Sequence, residues 1–298
     1  MSVKMITPFH MSRPSLKSRI AILNSHARLM SNLAFDKHEP PAGKAGKPIL
    51  FLHGLFGSKK NNRTMSRVLA RDLGRPVFAL DLRNHGESPH NATHDYLSMA
   101  GDVVEFIDKQ QLQQPTIIGH SMGAKTAMTI ALKSPEKISN IIAVDNAPID
   151  AVLASGFGSY VRGMKKIENA KVTRLSEADK ILQEVEESLP IRQFLLGNLH
   201  KPKGQTTQQF SIPLDILGKA LDHMGDFPFK NPDEVRCNKP ALFIRGTQSR
   251  YVPNEALPII GRFFPKFRLV DVDAGHWLIS EQPEEFRRAA VEFLRDRD

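Results

Sequence analysis

Gly119-His120-Ser121-Met122-Gly123 has the spacing of a nucleophile elbow, a serine held at the crest of a tight strand-to-helix turn. The β-branched run Pro115-Thr-Ile-Ile before it reads as a strand, and Ala124 to Lys133 has helical composition. Glycine at 119 and 123 removes the two Cβ atoms that would keep strand and helix apart. The turn is therefore free to hold Ser121 in a strained backbone conformation. The helix N-terminus behind the hydroxyl favours negative charge developing beside it. A serine hydroxyl is still a weak nucleophile at neutral pH. It needs a base within hydrogen-bond reach, and the base needs an acid to orient it.

The candidate base is His276, in Ala274-Gly-His-Trp277 between the last strand and the last helix. From there an imidazole reaches back over the carboxyl edge of a sheet. His53 and His120 sit inside other glycine-bearing motifs and are assigned to loop geometry, and His10 and His26 lie in the leader. The expected chain order is serine, acid, histidine. In many folds of this kind the acid follows, by three residues, the glycine that ends the penultimate strand. Here that position is Ser249, which cannot orient an imidazole as a carboxylate does. One strand earlier, Asp145 stands at a strand's carboxyl end, 24 residues after Ser121. Asp145 is therefore the candidate acid. Asp150 lies farther along, Asp273 is too close in sequence to His276, and Asp81 is assigned to its own loop. An attacked carbonyl also needs two N–H donors for its oxyanion. One follows the nucleophile, at Met122. The other comes from the loop after the first apolar strand, at Leu55 or Phe56.

These side chains need a scaffold that brings distant loops to one rim. Ser31 to His38 reads as an opening strand, and Pro48 to His53 is continuously apolar, as in a strand covered on both faces. Met65, Val68, Leu69 and Leu73 have helical spacing, and Pro76 to Asp81 is the next strand. Leu97, Ala100, Val103, Val104 and Ile107 mark another helix, and Ile138 to Val144 is strand again. Strand patterns stop between about 147 and 236, where helical ones take over. There Ser176 and Asp179 resemble a capping box, Pro190 is expected to stop the helix that follows, and Leu214, Leu217 and Leu221 suggest another helix. Pro240 to Arg245 and Arg268 to Asp273 restore the strands, the last alternating as suits an edge. Pro283 opens a closing helix with Phe286, Ala289, Ala290, Phe293 and Leu294 on one face. Alternating strands and helices predict an α/β fold, a mainly parallel sheet with helices on both faces. The domain reading is a core over 31–146 and 237–298 with a helical cap inserted at 147–236. A second independent domain is disfavoured because the strands resume after it.

The net charge of +9 is largely local. Residues 1–35 contain no acid and contribute +5 through Lys4, Arg13, Lys17, Arg19 and Arg28. No basic stripe interleaved with aromatics follows, so a nucleic-acid partner is not expected. Leu16, Ile20, Leu23, Ala27 and Met30 form one face of a helix in this basic, serine-bearing leader. That pattern makes residues 1–30 a candidate mitochondrial targeting segment. No run reaches the 18 apolar residues of a transmembrane helix. Cys237 is the single cysteine, which excludes an internal disulfide, and it is read as a bland, partly buried thiol. Zinc spacing and a Gly-x-Gly-x-x-Gly turn are both absent, so neither metal nor dinucleotide cofactor is expected.

Taken as a set, six segments resemble the α/β-hydrolase domain 11 family. They are His53-Gly-Leu-Phe-Gly-Ser-Lys59, Asp81-Leu-Arg-Asn-His-Gly-Glu-Ser-Pro89, Gly119-His-Ser-Met-Gly-Ala-Lys125, Ile191-Arg-Gln-Phe-Leu-Leu196, Ile244-Arg-Gly246 with Ser249 and Tyr251, and Gly275-His-Trp277. The resemblance covers about Leu33 to the C-terminus. That family includes mitochondrial serine hydrolases, bacterial small-ester esterases and yeast ethanol acetyltransferases. It implies an α/β-hydrolase fold with Ser121, Asp145 and His276 as a triad, and it agrees with a mitochondrial leader. Ala124 departs from the glycine many relatives carry there. The small-molecule partner expected is an acyl ester or thioester. Three outcomes stay open: hydrolysis, acyl transfer to an alcohol through the same acyl-enzyme, and a non-catalytic scaffold. The neutral cap, with 12 basic and 12 acidic residues, slightly favours hydrolysis. Lys165, Lys166, Lys171 and Arg174 keep coenzyme A in play.

Overall fold

Hydrophobic runs too short for helices and bounded by turn residues become strands here. The computed structural model describes residues 32–41, 46–151 and 156–295. The targeting segment expected over residues 1–30 lies outside them. Seven strands form one sheet: β1 (Phe35–His38), β2 (Ile49–Leu52), β3 (Val77–Leu80), β4 (Thr116–His120), β5 (Asn140–Val144), β8 (Ala241–Gly246) and β9 (Phe267–Val272). Their order is β1-β3-β2-β4-β5-β8-β9. Only the pairing of β1 with β3 is antiparallel within this sheet; the others are parallel. The central strands β2, β3, β4 and β5 are buried at every position, which is why they read as unbroken apolar runs rather than alternating ones. β9 lies at the edge and is buried at Val272 only.

Helices cover both faces. On one face, Met65 and Leu69 of α1 (Lys59–Leu73) pack with Phe286, Ala290 and Leu294 of α10 (Pro283–Arg295) under Ile49, Phe51 and Ile118. On the other, α2 (Tyr96–Lys109) and α3 (Met122–Lys133) bury Met99, Val103, Ala127 and Met128 against Leu50, Ile117 and Ile141. α1 starts six residues before the apolar spacing at Met65, because Ser58 and Asn61 hydrogen-bond at its first turn. Two short helices, α8 (Leu257–Phe263) and α9 (Leu278–Glu281), flank β9 and have no long periodic pattern to betray them.

Between β5 and β8 the chain forms α4 (Gly156–Asn169), α5 (Leu175–Leu182), α6 (Leu189–Leu196) and α7 (Leu214–Met224). This insert belongs to the same compact unit as the sheet. Three local expectations need correction. The residue capping α5 is Arg174, not Ser176, and Glu177 accepts its backbone N–H at 3.2 Å. Pro190 does not stop a helix; it sits in the first turn of α6, where a missing N–H costs nothing. Strands do not vanish either. Leu199–His200 (β6) and Gln209–Phe210 (β7) make a two-residue antiparallel pair too short to leave a pattern.

Candidate active site

The carboxyl ends of β4, β5 and β9 converge, and each is followed by one of the three candidate side chains. Ser121 has φ 53° and ψ −114°, a conformation that L-residues rarely adopt. Crowding makes both neighbouring glycines obligatory. A Cβ on Gly119 would lie 2.1 Å from the carbonyl oxygen of Gly123, and one on Gly123 would lie 2.5 Å from that of Leu52. Ser121 N–H donates to Val144 O at 2.9 Å, tying the crest of the turn to β5. The neighbouring strand then delivers Asp145, also at positive φ (50°) and fully buried.

Ser121 Oγ and His276 Nε2 are 2.9 Å apart, and His276 Nδ1 and Asp145 Oδ2 2.7 Å. The carboxylate can only accept, so Nδ1 carries the proton and Nε2 is free to receive one from the serine. Asp145 is further fixed by the Gly246 N–H on Oδ1 at 3.0 Å and the Ser249 hydroxyl on Oδ2 at 2.5 Å. His276 is held above and behind. The Tyr251 ring stacks on it with centroids 4.1 Å apart, and its carbonyl accepts from His120 Nε2 at 2.7 Å. Loop geometry is the part the sequence gives His120, while the supports from Ser249 and Tyr251 are not assigned there. Ser249 left one signal: it occupies the position where other folds of this kind carry the acid.

Leu55 and Met122 are both buried, and among the described residues neither backbone N–H has a partner. Phe56 N–H does have one, donating to His85 Nε2 at 3.1 Å. Of these two candidates, Leu55 is the one whose N–H stands unpartnered among the described residues. Phe56 is itself at φ 61°, and its carbonyl accepts from Asn198 at 2.9 Å, so hydrogen bonds grip this strained peptide on both sides. The rejected candidates are busy elsewhere. Asp81 accepts from the Lys59 N–H and ammonium and from Glu87 N–H. Asp150 accepts from Phe227 N–H and Lys230, and Asp273 from Gln248. Cys237 is more deeply buried than the sequence reading had it, at 1% exposure, and burial pushes its thiol pKa up.

Ser121 is 8% exposed, so solvent reaches it sparingly. A cavity of about 290 Å³ lies beside the cluster, lined in part by Gly54, His120, Phe194 and Trp277. Phe194 of the insert meets Trp277 edge-on, with centroids 4.5 Å apart.

Burial keeps four histidines beneath the site neutral. His53 and His85 are lowered, and His94 and His120 fall from 6.5 to about 4, in every case chiefly through desolvation. His53 donates to Gly54 O and accepts from Leu82 N–H, which the neutral ring alone can do. The unfolded chain takes up protons near 6.5 and the folded one resists them, so this stability is complete above 6.5 and is lost as pH falls towards 4. For His94 and His120 the shift is worth about 3 kcal/mol each. The thermal midpoint is therefore expected to drop steeply between pH 6.5 and 4, and His94→Asn to flatten part of that slope. A midpoint constant across this window would contradict the assignment.

The pattern described as "alpha/beta hydrolase fold" matches residues 47–167 and 176–283. A Saccharomyces cerevisiae protein named "Probable alcohol acetyltransferase" is 43% identical over 268 residues, covering 85% of this chain and 78% of the relative. The Xenopus laevis protein named "sn-1-specific diacylglycerol lipase ABHD11" is 36% identical over 284 residues, 93% of this chain and 88% of the relative. Among solved structures, a "Marine microorganism esterase" superposes with a TM-score of 0.81 at 32% identity, covering 88% of this chain and 99% of its own.

Proposed function

Because the chain belongs to the alpha/beta hydrolase fold family, and within it to the domain 11 group, we propose that it is a serine hydrolase cleaving carboxylic esters or thioesters through an acyl-enzyme on Ser121. The observation that carries this reading is the unbroken hydrogen-bond path from Ser121 through His276 to Asp145, at 2.9 and 2.7 Å, beside two N–H groups that have no partner among the described residues.

In the proposed reaction His276 Nε2 takes the Ser121 proton as Oγ bonds to the acyl carbon. The carbonyl oxygen, now an oxyanion, receives hydrogen bonds from Leu55 and Met122 N–H. Losing one such donor costs on the order of 3 kcal/mol of transition-state stabilisation. Asp145 holds the imidazolium in place without taking its proton. The tetrahedral species collapses, the bond to the alcohol or thiol breaks, and His276 returns its proton to the leaving group. A water then gives a proton to Nε2 and its oxygen to the acyl carbon. The acid leaves, and Oγ regains the proton.

Acyl transfer to an alcohol shares the first half of this path and is favoured by the name of the yeast relative. Against a coenzyme A surface, three of the four basic side chains that could form it are already paired: Lys165 with Asp215, Lys166 with Glu184 and Arg174 with Glu177. The deciding test supplies p-nitrophenyl acetate, a long-chain diacylglycerol or acetyl-coenzyme A to the purified protein, with and without ethanol. Free acid is expected as the main product in each arm that turns over. Ethyl ester dominating over free acid would move the assignment to acyl transfer.

The leader is proposed to direct mitochondrial import on the strength of its basic amphipathic pattern. Residues 1–35 fused to a fluorescent protein are expected to carry it into mitochondria, and a diffuse cytosolic signal would refute the proposal.

A further inference from the structure

One buried cation near Ser121 has no part in the chemistry above. Lys125 lies on α3, one turn beyond Ser121, and is 1% exposed. Its ammonium donates to three carbonyl oxygens: Ile149 at 3.0 Å, Gly225 at 2.6 Å and Asp226 at 3.1 Å. The first belongs to the segment leaving β5 for the insert, the other two to the segment returning after α7. A buried ammonium that, among the described residues, bonds to no carboxylate is expensive, and an apolar chain of the same length would avoid the cost. What methionine could not do is bridge two passing segments, which takes several N–H donors on a single atom.

Everything around Lys125 serves the same junction. Ala151 N–H donates to Gly225 O at 2.9 Å, and Asp150 accepts from Phe227 N–H at 2.7 Å and from Lys230 at 2.5 Å. The Tyr96 ring lies 5.7 Å from the Lys125 ammonium, and its hydroxyl donates to Met224 O at 2.8 Å. Beyond the junction, the insert touches the loops on both sides of the nucleophile. Asn198 reaches Phe56 O at 2.9 Å, and Phe194 packs on Trp277.

We propose that Lys125 is a positioning residue that fastens both ends of the insert to the helix beginning at Ser121, and thereby sets how well bulky acyl groups are held over that serine. The proposal rests on the acyl-enzyme reading of Ser121. Desolvation pulls the Lys125 ammonium down to about 8, with Asp150 and Asp226 opposing and Lys230 assisting. Once neutral, the amine has two N–H groups for three carbonyls. The grip therefore weakens above about pH 8, in a range separate from ordinary histidine titration.

The test compares kcat and KM for p-nitrophenyl acetate and p-nitrophenyl decanoate from pH 6.5 to 9.5, corrected for blank hydrolysis, in the wild type and in Lys125→Met. Fluorophosphonate labelling reports whether Ser121 is intact. In the wild type the decanoate-to-acetate ratio of kcat/KM should fall at least fivefold through pH 8. In Lys125→Met, KM for decanoate should rise at least tenfold and the ratio should be low and flat with pH. Its acetate turnover and labelling should stay within about threefold of wild type. Equal losses on both esters, or no change on either, would overturn the proposal. If Lys125→Met does not fold, the wild-type profile decides alone, and a flat ratio overturns it. A wild-type protein that neither labels nor turns over would instead sink the Ser121 reading, and this one with it.

Discussion

Ser121→Ala is expected to abolish fluorophosphonate labelling and to lower kcat for small esters by roughly a million-fold. The probe reacts by forming a P–O bond to an activated hydroxyl with loss of fluoride, so labelling and turnover should disappear together. The expectation follows from geometry. Ser121 Oγ is the hydroxyl within 2.9 Å of His276 Nε2, and the backbone that presents it is held at φ 53° by the packing of β4 against α3. Alanine has the same Cβ as serine, so the strain at this backbone is unchanged and the thermal midpoint should move by no more than a few degrees. Mass spectrometry of the labelled peptide and a melting curve check both halves. Label on another serine, or turnover within tenfold of wild type, would remove Ser121 from the reaction.

Asp145→Asn is expected to lower turnover about 10⁴-fold at neutral pH with little change in fold. The amide fills the same space, and its oxygen can still accept from Gly246 N–H, while the Ser249 hydroxyl, which donated to Oδ2, must turn to accept from the NH₂ that replaces it. What it loses is the acceptor-only edge facing His276 Nδ1. An NH₂ there favours the tautomer with its proton on Nε2, which cannot take one from Ser121. Ser249→Ala provides the internal scale. It removes one of three donors to a carboxylate that stays in place, and should cost only about tenfold. Near-normal turnover in Asp145→Asn would move the acid role elsewhere.

How much of this was legible in the chain depends on the range of the interaction. The elbow could be read because its glycines, strand and helix all lie between Thr116 and Lys133. His276 could be read because its place between the last strand and the last helix sends it to the same rim as Ser121. Asp145 could be read by exclusion, serine standing at position 249. The second oxyanion donor could not be narrowed to one residue. The hydrogen bond that occupies Phe56 N–H comes from His85, 29 residues away, and no pattern announces it. Pro190 was misread because proline suits both the end of one helix and the first turn of the next. Arg174 was passed over as a cap because its side chain is not of a usual capping type; Glu177 supplies the acceptor instead. Lys125 was invisible because its partners are backbone carbonyls up to 101 residues distant.

Only four residues separate Asp145 from Asp150, whose carboxylate bonds the returning segment at Phe227. In a relative with its acid after the penultimate strand, the insert could be exchanged without touching the triad. In this chain the proposed acid and the root of the insert share one short stretch of backbone. Chimaeras that transplant a foreign cap should therefore keep residues 145–151 and 224–230 as a matched pair, since cutting inside either would tug on the carboxylate itself.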